Sequence, residues 1–412
     1  MGMLIACFFL TACGMPSQGV SSNEVSQNIT QEKTMAEITD TGEVEFTEEL
    51  LEKAIFNPGN RYRLAEVMQR AEKGEEITIA YIGGSITAGS LASPQETNCY
   101  ARKSYAWWQE TFPNAAFTYV NAGIGATDSY LGVHRAEEDV ISQEPDLVIV
   151  EFSVNDYRNH NQESYESLLR KLLTCESEPA VIALLLTMEN NNDYGTEHAA
   201  VAFKLGVPIL DYGVLLSEGD VSWQQIGNAD GVHPKNEGHA VIAAVLTGFY
   251  RQVYTDMEQI LQEDAYVVPE SNLTLNRYEN ARIIYGEELS DSPVNITESE
   301  GFITEPVESP LLTEHDGFHT TEGGSMVFTV ECRAVGILYM RTTDGTGGQY
   351  DVYVDGVLTA SMDADFSGGW GNCLEYVECI KTTESAMHTI EIRRQEDSIN
   401  VALSICGICV AE

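Results

Sequence analysis

Four residue types in this sequence could do chemistry together: a serine, an asparagine and an aspartate–histidine pair. The serine is Ser85, in IAYIGGSITAGS (79–90), where an apolar run ends on two glycines. Four readings compete for it. A phosphate cradle would end in Gly-Lys-Ser/Thr, and no lysine is near. A dinucleotide turn would read G-x-G-x-x-G, which GGSITAG does not. A plain turn residue needs nothing further. A nucleophile needs the carboxyl end of a central strand, where open α/β sheets bind ligands, and glycines that lift the hydroxyl out of the sheet. It also needs a base and a group that orients the base.

The base and its orienter stand in NADGVHPKNEGHAVIAAVL, where Asp230 precedes His233 by three residues at a turn. That offset can put a carboxylate and an imidazole on one side. Asp230 then holds one ring nitrogen while the other faces Ser85, the serine-triad logic in the chain order Ser, Asp, His. Alone, such a pair reads as a capping carboxylate and a surface histidine. His239, among alanines and valines of the next helix, reads as structural. An acyl-transfer site also needs donors for an oxyanion. Asn155, in VEFSVNDYRN, offers a side-chain amide just past an apolar run. NAGIGATDS offers a Gly-rich turn with the backbone N–H of Gly125 or Ala126. With the N–H of Ser85, these make the candidate oxyanion hole.

The elements that must position these residues alternate. Apolar runs read as strands over 77–82, 117–120, 147–152, 180–186 and 208–210. Helical spacing covers 46–56, 61–73, 104–111, 164–173, 196–205 and 237–253. Runs such as VIALLL are apolar on both faces, as parallel strands covered by helices are. The expectation is a doubly wound α/β domain over 41–260. Beyond 261 the helical period disappears. SMVFTVEC, VGILYMR, YDVYVDGV, HTIEIRR and NVALSICGI alternate with period two, and Asp355-Gly356 reads as a hairpin turn. Residues 261–412 are therefore expected to form an all-β sandwich, jelly-roll-like; by resemblance alone, such a domain is similar to a carbohydrate-binding module.

Ser85, the turn Gly123-Ile-Gly-Ala126, Asn155 in VND and the Asp230-x-x-His233 pair, in that order over 77–250, resemble the blocks of the SGNH hydrolases, also called the GDSL family. The resemblance implies a three-layer α/β/α fold, no metal, no cofactor, and ester hydrolysis through an acyl-enzyme. It departs in two places. Gly84 stands where the family's GDS carries aspartate, and Ala126 aligns with the family's block II glycine, with Gly125 one residue before. GGSIT with VEFSVND and a C-terminal β-sandwich is similar to bacterial carbohydrate acetylesterases acting on polysaccharides such as xylan or mannan. An acetylated carbohydrate is the substrate this implies. Trp223, seven residues before Asp230, and Trp370, in GGWG, are the candidate sugar contacts, whereas Trp107 and Trp108 are expected in the core.

The chain has 412 residues with 64 acidic and 22 basic side chains, a formal charge of −42. Such a surface repels nucleic-acid phosphates and anionic headgroups, which argues against both as partners. The start, MGMLIACFFLTACGMPSQ, carries an apolar segment too short to span a bilayer. Leu10-Thr11-Ala12-Cys13 resembles a bacterial lipobox, although no Lys or Arg precedes Lys33. Residues 1–40 then read as signal and tether, with Cys13 as a lipid anchor and an extracellular, cell-surface or secreted location. Five cysteines fall in the last 81 residues. Disulfides or buried thiols both suit them, and the lone Cys406-x-x-Cys409 pair lacks the second close pair a zinc site requires. The alternatives to a carbohydrate esterase are a non-catalytic glycan-binding lipoprotein, or an esterase for lipid esters or envelope polymers.

Overall fold

A strand whose side chains alternate between two apolar layers organises the first half of the molecule. The computed structural model describes residues 37–38, 44–45 and 47–412. The lipobox-like segment and nearly all of the tether lie outside these residues. The elements in order are β1 (Glu37–Ile38), β2 (Val44–Glu45), α1 (Glu48–Ala54), β3 (Ile55–Asn57), α2 (Tyr62–Glu72), β4 (Glu76–Gly83), α3 (Ser85–Ala88), α4 (Gln95–Asn98), α5 (Tyr100–Thr111), β5 (Ala116–Gly123), α6 (Ser129–Asp139), β6 (Leu147–Glu151), α7 (Asn161–Thr174), β7 (Ala180–Leu185), α8 (Gly195–Leu205), β8 (Ile209–Asp211), α9 (Gly213–Ser217), α10 (Trp223–Ile226) and α11 (Asn236–Ile260). The sheet order is β3-β8-β7-β6-β4-β5. Its strands are parallel except β3, which runs antiparallel to β8.

In β4, Ile79 and Tyr81 join one buried cluster with α2, α5 and α11, while Ala80 and Ile82 join the other with α6 and α7. That alternation makes three layers, helix on sheet on helix. The chain winds outward from β4 in both directions, to β5 on one side and β6 on the other. The topological switch, where such sheets open a crevice, is thus at the carboxyl end of β4. Trp108 is fully buried and Trp107 packs on the same cluster, as the sequence suggested.

Two local readings change. The helix expected over 46–56 ends at Ala54, and its last residues turn into the edge strand β3, too short to show a period. Helix α6 had no apolar stripe to announce it, because it is buried on nearly every side, His134, Arg135 and Asp139 included.

The second half comprises β9 (Ala281–Ile284), β10 (Val294–Glu300), β11 (Ile303–Pro306), β12 (Asp316–Thr320), β13 (Ser325–Arg341), β14 (Gln349–Val354), β15 (Val357–Asp363), β16 (Cys373–Arg394) and β17 (Leu403–Ala411). It is an antiparallel β-sandwich. The long strands β13 and β16 pair along most of their length and bend at register shifts near Cys332 and Gly336, so each serves both layers. The β14–β15 hairpin turns on Asp355 and Gly356, both at positive φ, as the Asp-Gly signal implied. All seven cysteines in the described residues are free thiols. Cys379 and Cys406 are buried in apolar surroundings, which push both thiols up to about 12.

The two halves share one apolar cluster, in which Tyr130 and Leu131 of α6 meet Ala281, Leu338 and Tyr376 of the sandwich. The segment between α11 and β9 is strapped to α7. Arg170 donates to the carbonyls of Pro269 and Ser271, and Glu163 takes a two-pronged contact from Arg277.

Candidate active site

Ser85 follows β4 directly. Gly84 is extended, Ser85 begins a single helical turn, and Gly89 closes it in the left-handed conformation. Beneath the turn, Arg135 donates to the carbonyls of Gly83 and Ala122 and pairs with Asp139 at 2.7 Å. One buried guanidinium thereby staples the ends of β4 and β5, the two strands that deliver Ser85 and the Gly125 turn. Sequence reading missed it, since a charged residue in an unrecognised helix carries no signal.

The loop before α11 brings the histidine across. Ser85 Oγ lies 2.8 Å from His233 Nε2, and His233 Nδ1 lies 2.8 Å from Asp230 Oδ2. The tautomer that satisfies both contacts carries its proton on Nδ1 and leaves Nε2 to accept from the serine. Asp230 Oδ1 accepts the backbone N–H of Val232 and His233, at 2.9 and 3.0 Å. Burial acts upward on this carboxyl, but those N–H donors and the imidazole outweigh it and hold it below the usual carboxylate range. His239 is buried, accepts from the Tyr100 N–H and faces the Ser90 carbonyl. Burial pushes its imidazole down to about 4. It is a neutral brace, in keeping with its structural reading.

Two of the expected oxyanion segments lie against the turn that carries Ser85. A Cβ built on Gly125 would lie 3.9 Å from the Ser85 Cβ, so this turn abuts the serine. Ala126 sits at φ +61°, a strained conformation for a residue with a side chain. Among the described residues the N–H groups of Ser85, Gly125 and Ala126 make no backbone hydrogen bond. Asn155 reaches in from the loop after β6. A Cβ on Gly84 would lie 2.1 Å from Asn155 Oδ1. The residue before the serine is glycine here because the Asn155 amide occupies the space.

Under the turn lies a second residue the sequence reading passed over, Glu151 at the end of β6. It is fully buried and accepts from Thr87 Oγ1 at 3.2 Å. Burial pushes its carboxyl up to about 8, with the nearby Asp156 adding to the rise and Thr87 and backbone donors opposing it. The acid within the apolar run LVIVEF was its signal. The folded state keeps this proton while the unfolded chain releases it near 4.5, so the folded state binds more protons between those values. Stability from this group is complete below about 4.5 and falls as pH rises toward about 8. Glu151→Gln, neutral at every pH, should remove that slope. Melting of variant and wild type at pH 5 to 8 checks it: the variant gains relative to wild type, by on the order of a few kcal/mol at pH 8. Parallel profiles would exclude a neutral Glu151.

The two expected sugar contacts part company. Trp370 is 70% exposed, edge-on to Phe366. Trp223 is buried: its indole N–H donates to the Asn228 carbonyl, and its ring lies against Gly227. Through Asn228 it braces the loop that carries Asp230 and His233. Tyr157, two residues past Asn155, is exposed and was not singled out from sequence. Its neighbour Arg158 bonds Glu375 near the start of β16, the strand entered from the Trp370 loop. A cavity of about 570 Å³ lies farther along the sheet edge, lined by Thr187, Asp193, Phe203 and Asp211, and includes no member of the Ser85 group. The described residues hold no group of three or more His, Cys, Asp or Glu side chains arranged for a metal ion, and no helix among them is long and apolar enough to cross a membrane.

With this geometry in view, residues 81–241 match the profile of the GDSL-like lipase/acylhydrolase family. No curated protein matches the chain. Two solved structures of a two-domain esterase (CEX) active on acetylated mannans are each 34% identical to it, one of them co-crystallized with mannopentaose. Each alignment covers 88% of this chain and 98% of the other, with a TM-score of 0.76.

Proposed function

This chain belongs to the GDSL-like lipase/acylhydrolase family and is a carboxylic ester hydrolase, and on that premise we propose that it removes acetyl groups from carbohydrate, with Ser85 as nucleophile. One observation carries the reading: a Ser85–His233–Asp230 relay with unpaired N–H donors beside it, in a chain that aligns along nearly the whole length of an esterase active on acetylated mannans.

Ser85 Oγ attacks the acetyl carbonyl as His233 Nε2 takes its proton. Asp230 fixes the tautomer and steadies the imidazolium. The N–H groups of Ser85 and of Gly125 or Ala126, with the Asn155 amide, receive the oxyanion. His233 returns the proton to the departing sugar alcohol, leaving an acetyl ester on Ser85. Water, deprotonated by the same imidazole, then releases acetate. Nothing in this sequence calls for a cofactor.

In this reading the sugar extends toward Tyr157 and Trp370, whose rings are both exposed. Placement outside the cell, with Cys13 as a lipid anchor, suits the export-like start and the charge of −42. Trp370→Ala should raise KM for acetylated mannan by about threefold to tenfold, the scale of one aromatic contact, and leave an aryl acetate unaffected. Equal KM values on the polymer would remove Trp370 from the substrate path.

The reading is tested by acetate release from acetylated mannan, acetylated xylan, a small aryl acetate and a long-chain lipid ester. Release from a polysaccharide supports it and begins to name the sugar. Turnover of the lipid ester alone would replace it with a lipase reading, and glycan binding without turnover would replace it with a binding protein.

A further inference from the structure

The two candidate oxyanion segments, 123–127 and 155–158, leave different strands, yet their hydrogen bonds converge on one buried carboxylate. Asp128 caps α6 directly after the strained Ala126 turn, its Oδ1 accepting the Leu131 N–H at 3.2 Å. Its Oδ2 accepts from Asn161 Nδ2 at 3.1 Å. The other end of that amide, Asn161 Oδ1, accepts the N–H of Tyr157 and Arg158, at 3.1 and 2.7 Å. Asp128 and Asn161 therefore tie the Ala126 turn to the Asn155 loop.

The cluster is closed from the sandwich. Tyr376 of β16, 248 residues away in sequence, donates its hydroxyl to Asp128 Oδ2 at 2.6 Å. Its ring stacks on Tyr130 of α6, with centroids 4.2 Å apart and planes within 13°. On its other face the Arg158 guanidinium lies 4.2 Å from the ring centroid, bonded to Glu375 at 2.7 Å and 3.7 Å from Asp128 Oδ2.

We propose that Tyr376 is a positioning residue for the reaction: its hydroxyl holds Asp128 so that the Ala126 turn and the Asn155 loop stay at the spacing an oxyanion needs. The sandwich is thus part of the catalytic assembly, beyond any glycan contact it makes. The inference rests on Ser85 acting as nucleophile. Without the hydroxyl, Oδ2 loses its shortest partner, and the nearby Arg158 is free to draw the carboxylate toward itself and away from the α6 cap. Both segments then shift together. Losing a donor outright costs about 10²–10³ in turnover, so displacing two by less predicts a loss of roughly tenfold.

Tyr376→Phe keeps the stacked ring and removes only the hydroxyl. The test substrate is a small aryl acetate, which has no glycan to place on the sandwich, and the second probe is phenylboronic acid, whose tetrahedral serine adduct puts an oxygen where the oxyanion forms. The expected result is a kcat about tenfold lower, KM within about twofold, and a boronate Ki raised by the factor lost from kcat/KM. Arg158→Met, which cuts the cluster from the other side, should shift kcat and Ki in the same sense. A lower kcat with an unchanged Ki would mean only that less enzyme is folded, and would overturn the proposal. So would unchanged kcat and Ki in both variants of an active enzyme. A wild type without ester turnover would instead overturn the esterase reading, and this inference with it.

Discussion

Ser85→Ala is expected to lower kcat/KM by on the order of 10⁴-fold or more, for an aryl acetate and acetylated mannan alike. The loss is uniform because the serine forms and breaks the bond common to both substrates. Stability should barely move. Ser85 is half-buried at the surface of its turn, and the side-chain hydrogen bond of its Oγ is to His233. A change within about 0.5 kcal/mol is expected for removing such a group. Kinetics and thermal melting on the same preparation check both halves. A variant that melts like wild type yet keeps more than a small fraction of its activity would exclude Ser85 as nucleophile.

Gly84→Ala is expected to be nearly as revealing, through a different atom. Its backbone, at φ −88° and ψ −150°, is extended and outside the left-handed region reserved for glycine. The new methyl, however, would stand 2.1 Å from Asn155 Oδ1. That oxygen ends a movable side chain, so the amide swings away and the fold survives. Asn155→Ala removes the same amide directly. Each single variant should lose about 10²–10³ in kcat with a small change in melting temperature. Because both remove one donor, the double variant should be no worse than either alone. Additive losses would show that Gly84 matters for some reason other than leaving room for Asn155.

How far such details can be read from sequence depends on what kind of signal each carries. Strand β4, its glycines and Ser85 were legible because an apolar run ending on Gly-Gly-Ser is a local pattern. Asp230 and His233 were legible because they are three residues apart. Asn155 needed only the strand before it. Arg135 was not legible. Its helix is buried all round, so no apolar stripe announced the element, and its role is to bond two carbonyls that no side-chain pattern encodes. Tyr376 was hidden for another reason: its partner, Asp128, lies 248 residues away in a different fold type. The burial of Trp223 was not legible, because nearness in sequence to Asp230 says nothing about which side of the loop the indole takes. Its burial follows from Gly227, which leaves room for the ring, and from the Asn228 carbonyl that receives its N–H.

The most direct test of the account is where a serine-directed fluorophosphonate attaches. The wild type should lose activity in proportion to labelling, peptide mapping should place the phosphonyl group on Ser85, and His233→Ala should label far more slowly because nothing activates the hydroxyl. Labelling of a different residue in step with inactivation, or full activity with Ser85 labelled, would contradict the account.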